Sequence, residues 1–317
     1  MRRWLIVLLC LLVESAAAAY PEKPIRFIVP SAPGGSPDVL MRILLAEMSK
    51  QMGVAFVVEN KPGASYVIGT MDIVRAPADG YTLGYGNIVS LATNLSLLDK
   101  VPYDIERDLS LISNCVRVYN MLAVNNNLPV RTVPELIAYA KRNPGRLAMG
   151  SGGNGTTGHL GGELFKAMTG TFIVHIPYRG SAQAINDLVG GQLQLMFDNV
   201  PSIGPHVKSG RVRGIAVSGP RRSPVFPDIP TVAEAGVPGY ETIAWGGIIG
   251  PANLPKEIVA RLLSEIRAAY ASPAVQERYR NLDTEIDGGT PEQFLALVRS
   301  EVPKWTAVVK RSGAKVD

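Results

Sequence analysis

Two glycine-rich segments of the chain carry the residue types that could bind an anion. The first contains Ala32, Pro33, Gly34 and Gly35 and follows an apolar run at 25–29, and the second covers 150–158 and follows 147–149. Each precedes a segment with helical spacing, so each lies where a helix begins. The first N–H groups of a helix are unpaired and positively polarised, and glycine lets an anion approach the backbone. The pattern predicts two halves that hold one small acidic molecule between them.

The second segment also matches the dinucleotide fingerprint G-x-G-x-x-G at residues 150–155. That fingerprint requires an acidic residue about 20 positions later, which would bind the ribose. The corresponding region, 171–175, contains none. The sequence therefore argues against a nucleotide, and we expect no cofactor. The hydroxyls of Ser151, Thr156 and Thr157 remain meaningful, because each can donate to a carboxylate or cap the following helix.

No arrangement of nucleophile, base or metal ligands stands out in the sequence. His159 and Glu163 have the i, i+4 spacing of a helical metal pair, but one pair is weak support, and we expect no metal. His175 and His206 are interpreted as structural. Neither G-x-S-x-G nor H-E-x-x-H occurs, so no catalytic residue is assigned. Asp198, at the end of a predicted strand, is either a binding residue or a turn-forming aspartate.

The first 19 residues predict a signal peptide. Arg2 and Arg3 precede an uncharged apolar stretch at 4–13, and small residues at 17–19 suit cleavage before Tyr20. The apolar stretch is well short of the roughly 20 residues of a spanning helix, so we expect a mature protein that does not span a membrane. We therefore expect an exported chain.

Composition excludes some other classes of protein. The formal net charge is +5, but no basic stripe interleaved with aromatic residues is present, so we expect no nucleic-acid partner. One cysteine, Cys115, remains after cleavage, and its apolar neighbours predict a buried thiol. About 300 residues exceed what one hydrophobic core usually serves, which favours two lobes.

Strand-like and helix-like segments alternate along the chain, which predicts α/β lobes with parallel sheets covered on both faces. Ligands of such sheets bind beyond the carboxyl ends of the strands, where both glycine-rich segments lie. Strands are predicted at 25–29, 54–58, 81–85, 121–124, 147–149, 172–176, 193–197 and 212–217. Helices are predicted at 39–52, 67–76, 133–141, 159–169, 181–189, 256–270 and 291–310.

A series of short motifs gives the chain a family resemblance. They are YPEKPI (20–25), APGG (32–35) with Asp38, ENKPGA (59–64), ADGYTL (78–83), VPYD (101–104), GHLGGELF (158–165), HIPYRG (175–180), FD (197–198) and FPDIPTVAEAG (226–236). Their order and completeness over the mature chain resemble the Bug (TctC-like) family. Members of that family are periplasmic substrate-binding receptors of tripartite tricarboxylate transporters.

The resemblance implies a two-lobed periplasmic-binding-protein fold, type II-like, that closes like a Venus flytrap. Each lobe would be a mixed sheet flanked by helices, with hinge strands between the lobes. Lobe 1 would comprise residues 20–124 plus 246–317, and lobe 2 residues 125–245. The chain would be a monomeric receptor for a small carboxylate: a di- or tricarboxylate, an acidic amino acid or an aromatic acid. Its partners would be the membrane subunits of a tripartite tricarboxylate transporter.

The resemblance also implies which residues bind the ligand. It points to the two glycine-rich segments, with Ser151, Gly152, Asn154, Thr156 and Thr157 in the second. Asn87, Ser90, His159 and Asp198 complete the expected site. Where the family usually continues with glycines after ENKPGA, this chain has Ser65 and Tyr66, and we expect Tyr66 to shape the distal end of the ligand. A ligand-sensing receptor for a signalling partner and a secreted α/β hydrolytic enzyme remain alternatives.

Overall fold

The computed structural model describes residues 20–312 and residue 314, so the expected signal peptide at 1–19 lies outside the described residues. The strands are β1 (Ile25–Val29), β2 (Phe56–Asn60), β3 (Thr82–Asn87), β4 (Leu109–Val124), β5 (Ala148–Ser151), β6 (Val174–Pro177), β7 (Leu195–Asn199), β8 (Arg213–Val217), β9 (Ile243–Pro251) and β10 (Thr284–Ile286). The helices are α1 (Ser36–Met52), α2 (Val67–Val74), α3 (Asn94–Leu97), α4 (Ile105–Asp108), α5 (Val133–Arg142), α6 (Thr157–Thr169), α7 (Ser181–Gly190), α8 (Val200–Lys208), α9 (Lys256–Ala271), α10 (Pro273–Asn281) and α11 (Pro291–Ser312), with a π-helical turn at Val89–Thr93. Within residues 20–312 and 314, no helix is both long and apolar enough to cross a membrane.

One long strand, β4, belongs to two parts of the sheet. Its first part, from Leu109 to Tyr119, pairs with β9 in the order β2-β1-β3-β9-β4. Its last part, from Asn120 to Val124, pairs with β7 in the order β4-β7-β5-β6. The short strands β10 and β8 also pair with β4, one with each part. The chain therefore crosses from one part of the sheet to the other inside β4.

The mixed sheet that the resemblance implies is confirmed, whereas the parallel pairing that the strand–helix alternation alone predicts holds for only part of it. The pairs of β1 with β2 and β3, and of β5 with β6 and β7, are parallel. Every pair that includes β4 or β9 is antiparallel. The alternation rule fails here because β4 and β9 are returning connections between the two parts, and they are not steps of a βαβ unit. The strand predicted at 121–124 is only the end of β4, and β9 was not predicted.

Apolar packing follows the same division. In one cluster Phe27 of β1 and Leu44 of α1 are fully buried, and Cys115 of β4 lies in the same cluster with a buried thiol, as expected. In another, on the other side, Phe165 of α6 packs on Phe197 of β7. The buried positions recur at helical spacing in the helices and at alternating spacing in the strands. Each part of the sheet therefore packs one apolar face against helices. The residue boundaries of the lobes stay a prediction.

Asn120 marks the point where β4 leaves one part of the sheet for the other. Its side chain is fully buried, and its Oδ1 accepts hydrogen bonds from Thr157 Oγ1 (3.1 Å) and from Asn199 Nδ2. Its backbone N–H donates to Ser218 Oγ (2.8 Å), which in turn donates to the carbonyl of Thr242 (2.7 Å). One amide oxygen thus fixes the start of α6 and the end of β7.

We expect Asn120→Ala to lower the free energy of unfolding by about 1–3 kcal/mol, because buried Thr157 and half-buried Asn199 would lose their acceptor. Urea denaturation followed by circular dichroism measures the change. Asn126→Ala is the matched control, since the Asn126 amide also makes two hydrogen bonds, as a donor to backbone carbonyls, but lies on the surface. A loss no larger than in the control would show that the buried contacts of Asn120 add little.

Candidate binding cleft

The two glycine-rich loops line the same inner cavity. The loop between β1 and α1 contributes Ser31, Ala32 and Gly35, and the loop between β5 and α6 contributes Gly152 and Thr156. The cavity has a volume of about 30 Å³, which is room for roughly two water-sized groups. Both helices begin at this cavity, so their unpaired N–H groups polarise it positively. The predicted pair of anion-binding loops is therefore brought together in space.

The two helix starts are capped differently. In α6 the Oγ1 of Thr156 accepts a hydrogen bond from the N–H of His159 (3.3 Å). In α1 the N-cap residue is Gly35, and the described residues provide no side-chain cap for this helix. A cap acceptor satisfies only one of the first N–H groups of a helix, so both helix starts keep donors for a ligand.

Each of the two glycine-rich loops also touches a further segment of the chain. The carbonyl of Gly155 accepts a hydrogen bond from Thr93 Oγ1 (3.1 Å) in the π-helical turn. A Cβ added to Gly180, just before α7, would lie 2.5 Å from the Cβ of Ala32. This close approach requires glycine at 180, because any side chain there would push the two segments apart. The cleft is thus narrow at its inner end.

Tyr66 divides the inner end of the cleft. It lines the cavity between the loops and also a second one of about 30 Å³, whose walls include Asn87, Val118 and Trp245. It lines the wider mouth of the cleft as well. We expected Tyr66 at the distal end of a ligand, and the structure additionally places it between the two inner cavities. Its ring therefore limits the size of whatever binds there.

The backbone that presents Tyr66 is strained. Ala64, Ser65 and Tyr66 have φ angles of 44°, 48° and 72°, in the left-handed region that glycine adopts easily and other residues rarely do. Such residues cost about 1–3 kcal/mol each and cluster at binding sites. The conformation suits the glycines that the resemblance leads one to expect here. This chain holds the same turn with larger side chains.

The hydroxyl of Tyr66 lies among polar side chains. Burial raises the pKa of this half-buried tyrosine to about 12, and nearby Asp198 raises it further, while Asn87 and Ser31 act in the opposite direction. No hydrogen bond of ordinary geometry within the described residues reaches the Oγ of Ser31, although this atom is buried. A buried hydroxyl without a partner costs free energy unless a ligand or water satisfies it. Ser31 is therefore a ligand-binding candidate that sequence reasoning missed.

Asp198 is the one charged residue in the walls of the two inner cavities. It is 6% exposed, and its carboxylate accepts hydrogen bonds from Ser181 Oγ (2.6 Å) and from Ser202 Oγ. Burial raises its pKa to about 6, and the two hydroxyls and the backbone N–H of Asn199 oppose that rise. Hydroxyl donors satisfy the carboxylate without supplying a positive charge.

The mouth of the cleft is larger and carries one positive charge. It has a volume of about 250 Å³, and Ser65, Asn154, Tyr178 and Arg179 are among its walls. Arg179 is the one charged residue of this wall, and no hydrogen bond or ion pair joins its guanidinium to the described residues. The charge of Arg179 is thus available to a group that enters the mouth. Arg179 belongs to the HIPYRG motif, but sequence reasoning did not assign it to the site.

Behind the second loop lies a pair of stacked histidines. The rings of His159 and His175 are 4.1 Å apart at 13°, and Ser151 Oγ lies 2.7 Å from Nε2 of His175. Burial lowers the pKa of His159 to about 4 and that of His175 to about 3, and the charge of Lys166 acts in the same direction. Both rings are therefore neutral at neutral pH. Their packing supports the glycine-rich loop from behind.

The same histidines and Glu163 bring possible metal ligands within 4.8 Å of one another. However, Nδ1 of His159 accepts a hydrogen bond from the N–H of Gly155 (3.1 Å), so the neutral ring carries its proton on Nε2, the atom a metal would need. The ammonium of Lys166 lies 2.6 Å from Glu163 Oε1 and already neutralises that carboxylate. This chemistry suits a neutral imidazole pair better than a divalent cation.

Ten of the fifteen expected site residues line the cleft, and five do not. Those in its walls are Ala32, Gly35, Ser65, Tyr66, Asn87, Gly152, Asn154, Thr156, Thr157 and Asp198. Those outside the walls are Pro33, Gly34, Ser90, Ser151 and His159.

Of these five residues outside the walls, Pro33 and Gly34 are exposed, whereas Ser90, Ser151 and His159 are buried. Gly34 donates its N–H to Asp38 (2.9 Å). The hydroxyl of Ser90 accepts from the N–H of Asn87 (3.1 Å). Wall residues that sequence reasoning missed, besides Ser31, are Pro37, Ser181, Asn199, Tyr178, Arg179 and Trp245.

Comparison with known proteins identifies relatives over nearly the whole chain. Residues 40–314 match the sequence profile of TctC, the tripartite tricarboxylate transporter family receptor. Protein BugT of Bordetella pertussis is 36% identical over 302 residues, which cover 95% of this chain and 93% of BugT.

Solved structures agree with this fold. A protein of R. palustris with adipate has a TM-score of 0.91 and 37% identity, over 94% of this chain and all of the other. The periplasmic binding protein BugD has a TM-score of 0.90 and 34% identity over the same shares. The expected periplasmic-binding-protein fold and the family resemblance are confirmed.

The histidine pair predicts a loss of stability in acid. The unfolded chain binds protons at histidine with a pKa near 6.5, whereas folded His159 stays neutral to about pH 4. The free energy of unfolding therefore keeps its full value above pH 6.5 and falls as the pH drops from 6.5 toward 4. For His159 this loss is about 1–2 kcal/mol at pH 5.

Urea denaturation at pH 7.5 and 5.0 measures this loss. His159→Asn keeps an acceptor near the N–H of Gly155 but removes the titration, so we expect the variant to lose less stability in acid than the wild type. His206→Asn is the control at a less buried histidine. Equal losses in the wild type and in His159→Asn would contradict the assignment.

Proposed function

The chain belongs to the TctC family of tripartite tricarboxylate transporter receptors, and from this premise we propose that it captures a small carboxylate in its cleft and delivers it to membrane subunits of such a transporter. As a member of a receptor family it is a binding protein and not an enzyme. Lobe 1, at 20–124 plus 246–317, and lobe 2, at 125–245, would close on the ligand. A ligand that contacts both lobes favours the closed arrangement.

The observation that carries the proposal is the meeting of the two glycine-rich loops at one inner cavity. Two helix starts direct unpaired N–H groups toward a space for about two water-sized groups. A carboxylate presents two oxygens of about that size and prefers N–H donors. Ser31 Oγ, buried and without a partner of ordinary geometry among the described residues, adds a further donor at the same wall.

The mouth of the cleft supports a ligand that extends beyond one carboxylate. Its volume of about 250 Å³ accommodates the rest of a small acid, and Arg179 offers charge to a second anionic group. The R. palustris relative was solved with adipate, which has a carboxylate at each end. Dicarboxylates are therefore the first ligands to test. Tricarboxylates, acidic amino acids and aromatic acids complete it.

Export to the periplasm and a monomeric state are part of the same proposal. The predicted signal peptide would direct the chain to the compartment where this family of receptors acts. Uptake of the ligand by a strain that lacks the gene distinguishes transport from sensing: reduced uptake supports the transporter role.

A thermal-shift screen of mono-, di- and tricarboxylates tests the binding function, because a ligand that binds only the folded state raises the melting temperature. Ser31→Ala sharpens the test. It removes a buried hydroxyl without a good partner, so we expect an unchanged or higher melting temperature without ligand and about tenfold weaker binding.

Ser300→Ala, on the exposed face of α11, is the control, and its affinity should equal that of the wild type. If no carboxylate raises the melting temperature of the wild type, the proposed function is wrong. Unchanged affinity in Ser31→Ala would show that this hydroxyl does not bind the ligand. The role of the glycine-rich loops would then still need its own test.

Tyr66 should set ligand size. We expect Tyr66→Gly to join the two inner cavities, relieve the strained φ of 72° and admit bulkier acids, with Kd values for aromatic acids falling relative to those for short dicarboxylates. Calorimetric titration of both classes measures this ratio. Ala64→Gly relieves a similar strain without removing a ring, and its ratio should not change. An unaltered ratio in Tyr66→Gly would count against the role of the ring.

A further inference from the structure

We propose that the receptor takes up one proton at the carboxyl group of Asp198 when it binds a carboxylate. The inference rests on the proposed function, because it assumes that an anionic group occupies the inner cavity. The proton comes from the solvent, joins a carboxylate oxygen of Asp198 and leaves when the ligand leaves. Asp198 then acts as a neutral hydrogen-bond donor toward the ligand, and a second negative charge in the cavity is avoided.

The position of Asp198 creates the need for this proton. It shares one cavity of about 30 Å³ with both glycine-rich loops, so a carboxylate bound there lies close to its own carboxyl group. Two carboxylates in one poorly hydrated site cannot both stay ionised cheaply, and one of them is protonated. The ligand receives N–H donors from the helix starts, whereas Asp198 receives only hydroxyls and one N–H, so the proton goes to Asp198.

Within the part of the chain that the structure describes, no cation lies against Asp198 to offset its charge. Among the described residues, α7 and α8 bring the hydroxyls of Ser181 and Ser202 to it. The backbone N–H of Asn199 also acts on it, and the α2 end brings the hydroxyl of Tyr66. The inner walls formed by β4, α1 and α6 hold no lysine, arginine or histidine. A buried carboxyl group that faces only neutral donors is easily protonated.

Asp198 is also the group of the cleft wall that changes charge near neutral pH. Its pKa is raised to about 6, whereas the pKa of Tyr66 is raised to about 12. The histidines behind the loop have pKa values of about 4 and 3 and remain neutral above pH 6. Arg179 at the mouth keeps its charge throughout this range. A change in affinity between pH 6 and pH 8 therefore reports on Asp198.

The test uses formate and acetate, which are fully or almost fully ionised from pH 6 to pH 8 and fit the inner cavity alone. With a pKa of about 6, about half of the free receptor carries the proton at pH 6 and about one molecule in a hundred at pH 8. Because only the protonated receptor binds the ligand, affinity should fall by about fiftyfold between these values. Calorimetry at pH 8 in phosphate and in Tris, whose ionisation enthalpies differ, should count close to one proton taken up per ligand.

Two variants complete the test. Asp198→Asn is permanently neutral, so its affinity should be the same at pH 6 and pH 8 and at least equal to that of the wild type at pH 6. Asp228→Asn removes an exposed carboxylate outside the cleft walls and should keep the full pH dependence. Proton counting on the wild type decides the matter even if Asp198→Asn does not fold.

The outcomes separate the inference from the function on which it rests. Carboxylate binding with no proton uptake and equal affinity at both pH values overturns the inference and leaves the proposed function intact. Loss of carboxylate binding in Asp198→Asn, together with binding of methylammonium by the wild type, overturns it too, since Asp198 would then pair with a cation. Absence of carboxylate binding at every pH overturns the proposed function itself.

Discussion

The cleft depends on one strand that belongs to both parts of the sheet. Because β4 pairs with β9 along its first part and with β7 along its last, a single backbone sets the angle between the two parts. At the crossing point one buried amide oxygen, that of Asn120, accepts from the first residue of α6 and the last residue of β7. Those two residues, Thr157 and Asn199, also wall the inner cavity. The connection that joins the lobes therefore also positions the site.

Backbone groups and a few side chains have different roles at the candidate site. The glycine-rich loops supply helix starts and close approach, which are features of the main chain and suit any carboxylate. In the proposed function, selectivity comes from groups that the loops do not provide: the ring of Tyr66, the carboxyl group of Asp198 and the charge of Arg179. Tyr66 occupies its place on a strained turn, and Asp198 lacks a cationic partner. Both residues are thus in less stable local environments than the chain could provide, and both lie where a ligand would be recognised.

Much of the fold could be predicted from periodicity, and the failures have physical causes. The strand predicted at 25–29 and the helix predicted at 133–141 match the structure because local sequence decides them. The strand β9 was missed because Gly246, Gly247 and Gly250 are poor strand formers. Gly247 is needed there because a Cβ would overlap the carbonyl oxygen of Ser113 in β4. That contact joins distant parts of the chain and leaves no local signal.

At the candidate site, too, features with a local sequence signal could be predicted, and features that depend on distant contacts could not. Glycine spacing located both loops, since a helix start has a local signature. Ser31 and Arg179 were missed because what distinguishes them, a buried hydroxyl without a good partner and a place in the mouth wall, exists only in the folded chain. Tyr66 was recognised by its departure from the family pattern, but its reach into both inner cavities follows from three consecutive left-handed residues.

The pairing of β9 has a consequence for the order in which this chain can fold. Gly84 of β3 pairs with Ile249 of β9, so the central part of the first sheet lacks a neighbour until the last third of the chain is present. Contacts between such distant segments form slowly. Under the export proposed above, such a delay would keep the amino-terminal half from completing this part of the sheet before it crosses the membrane. Pairing with β9 thus ties completion of the first part of the sheet to the last third of the chain.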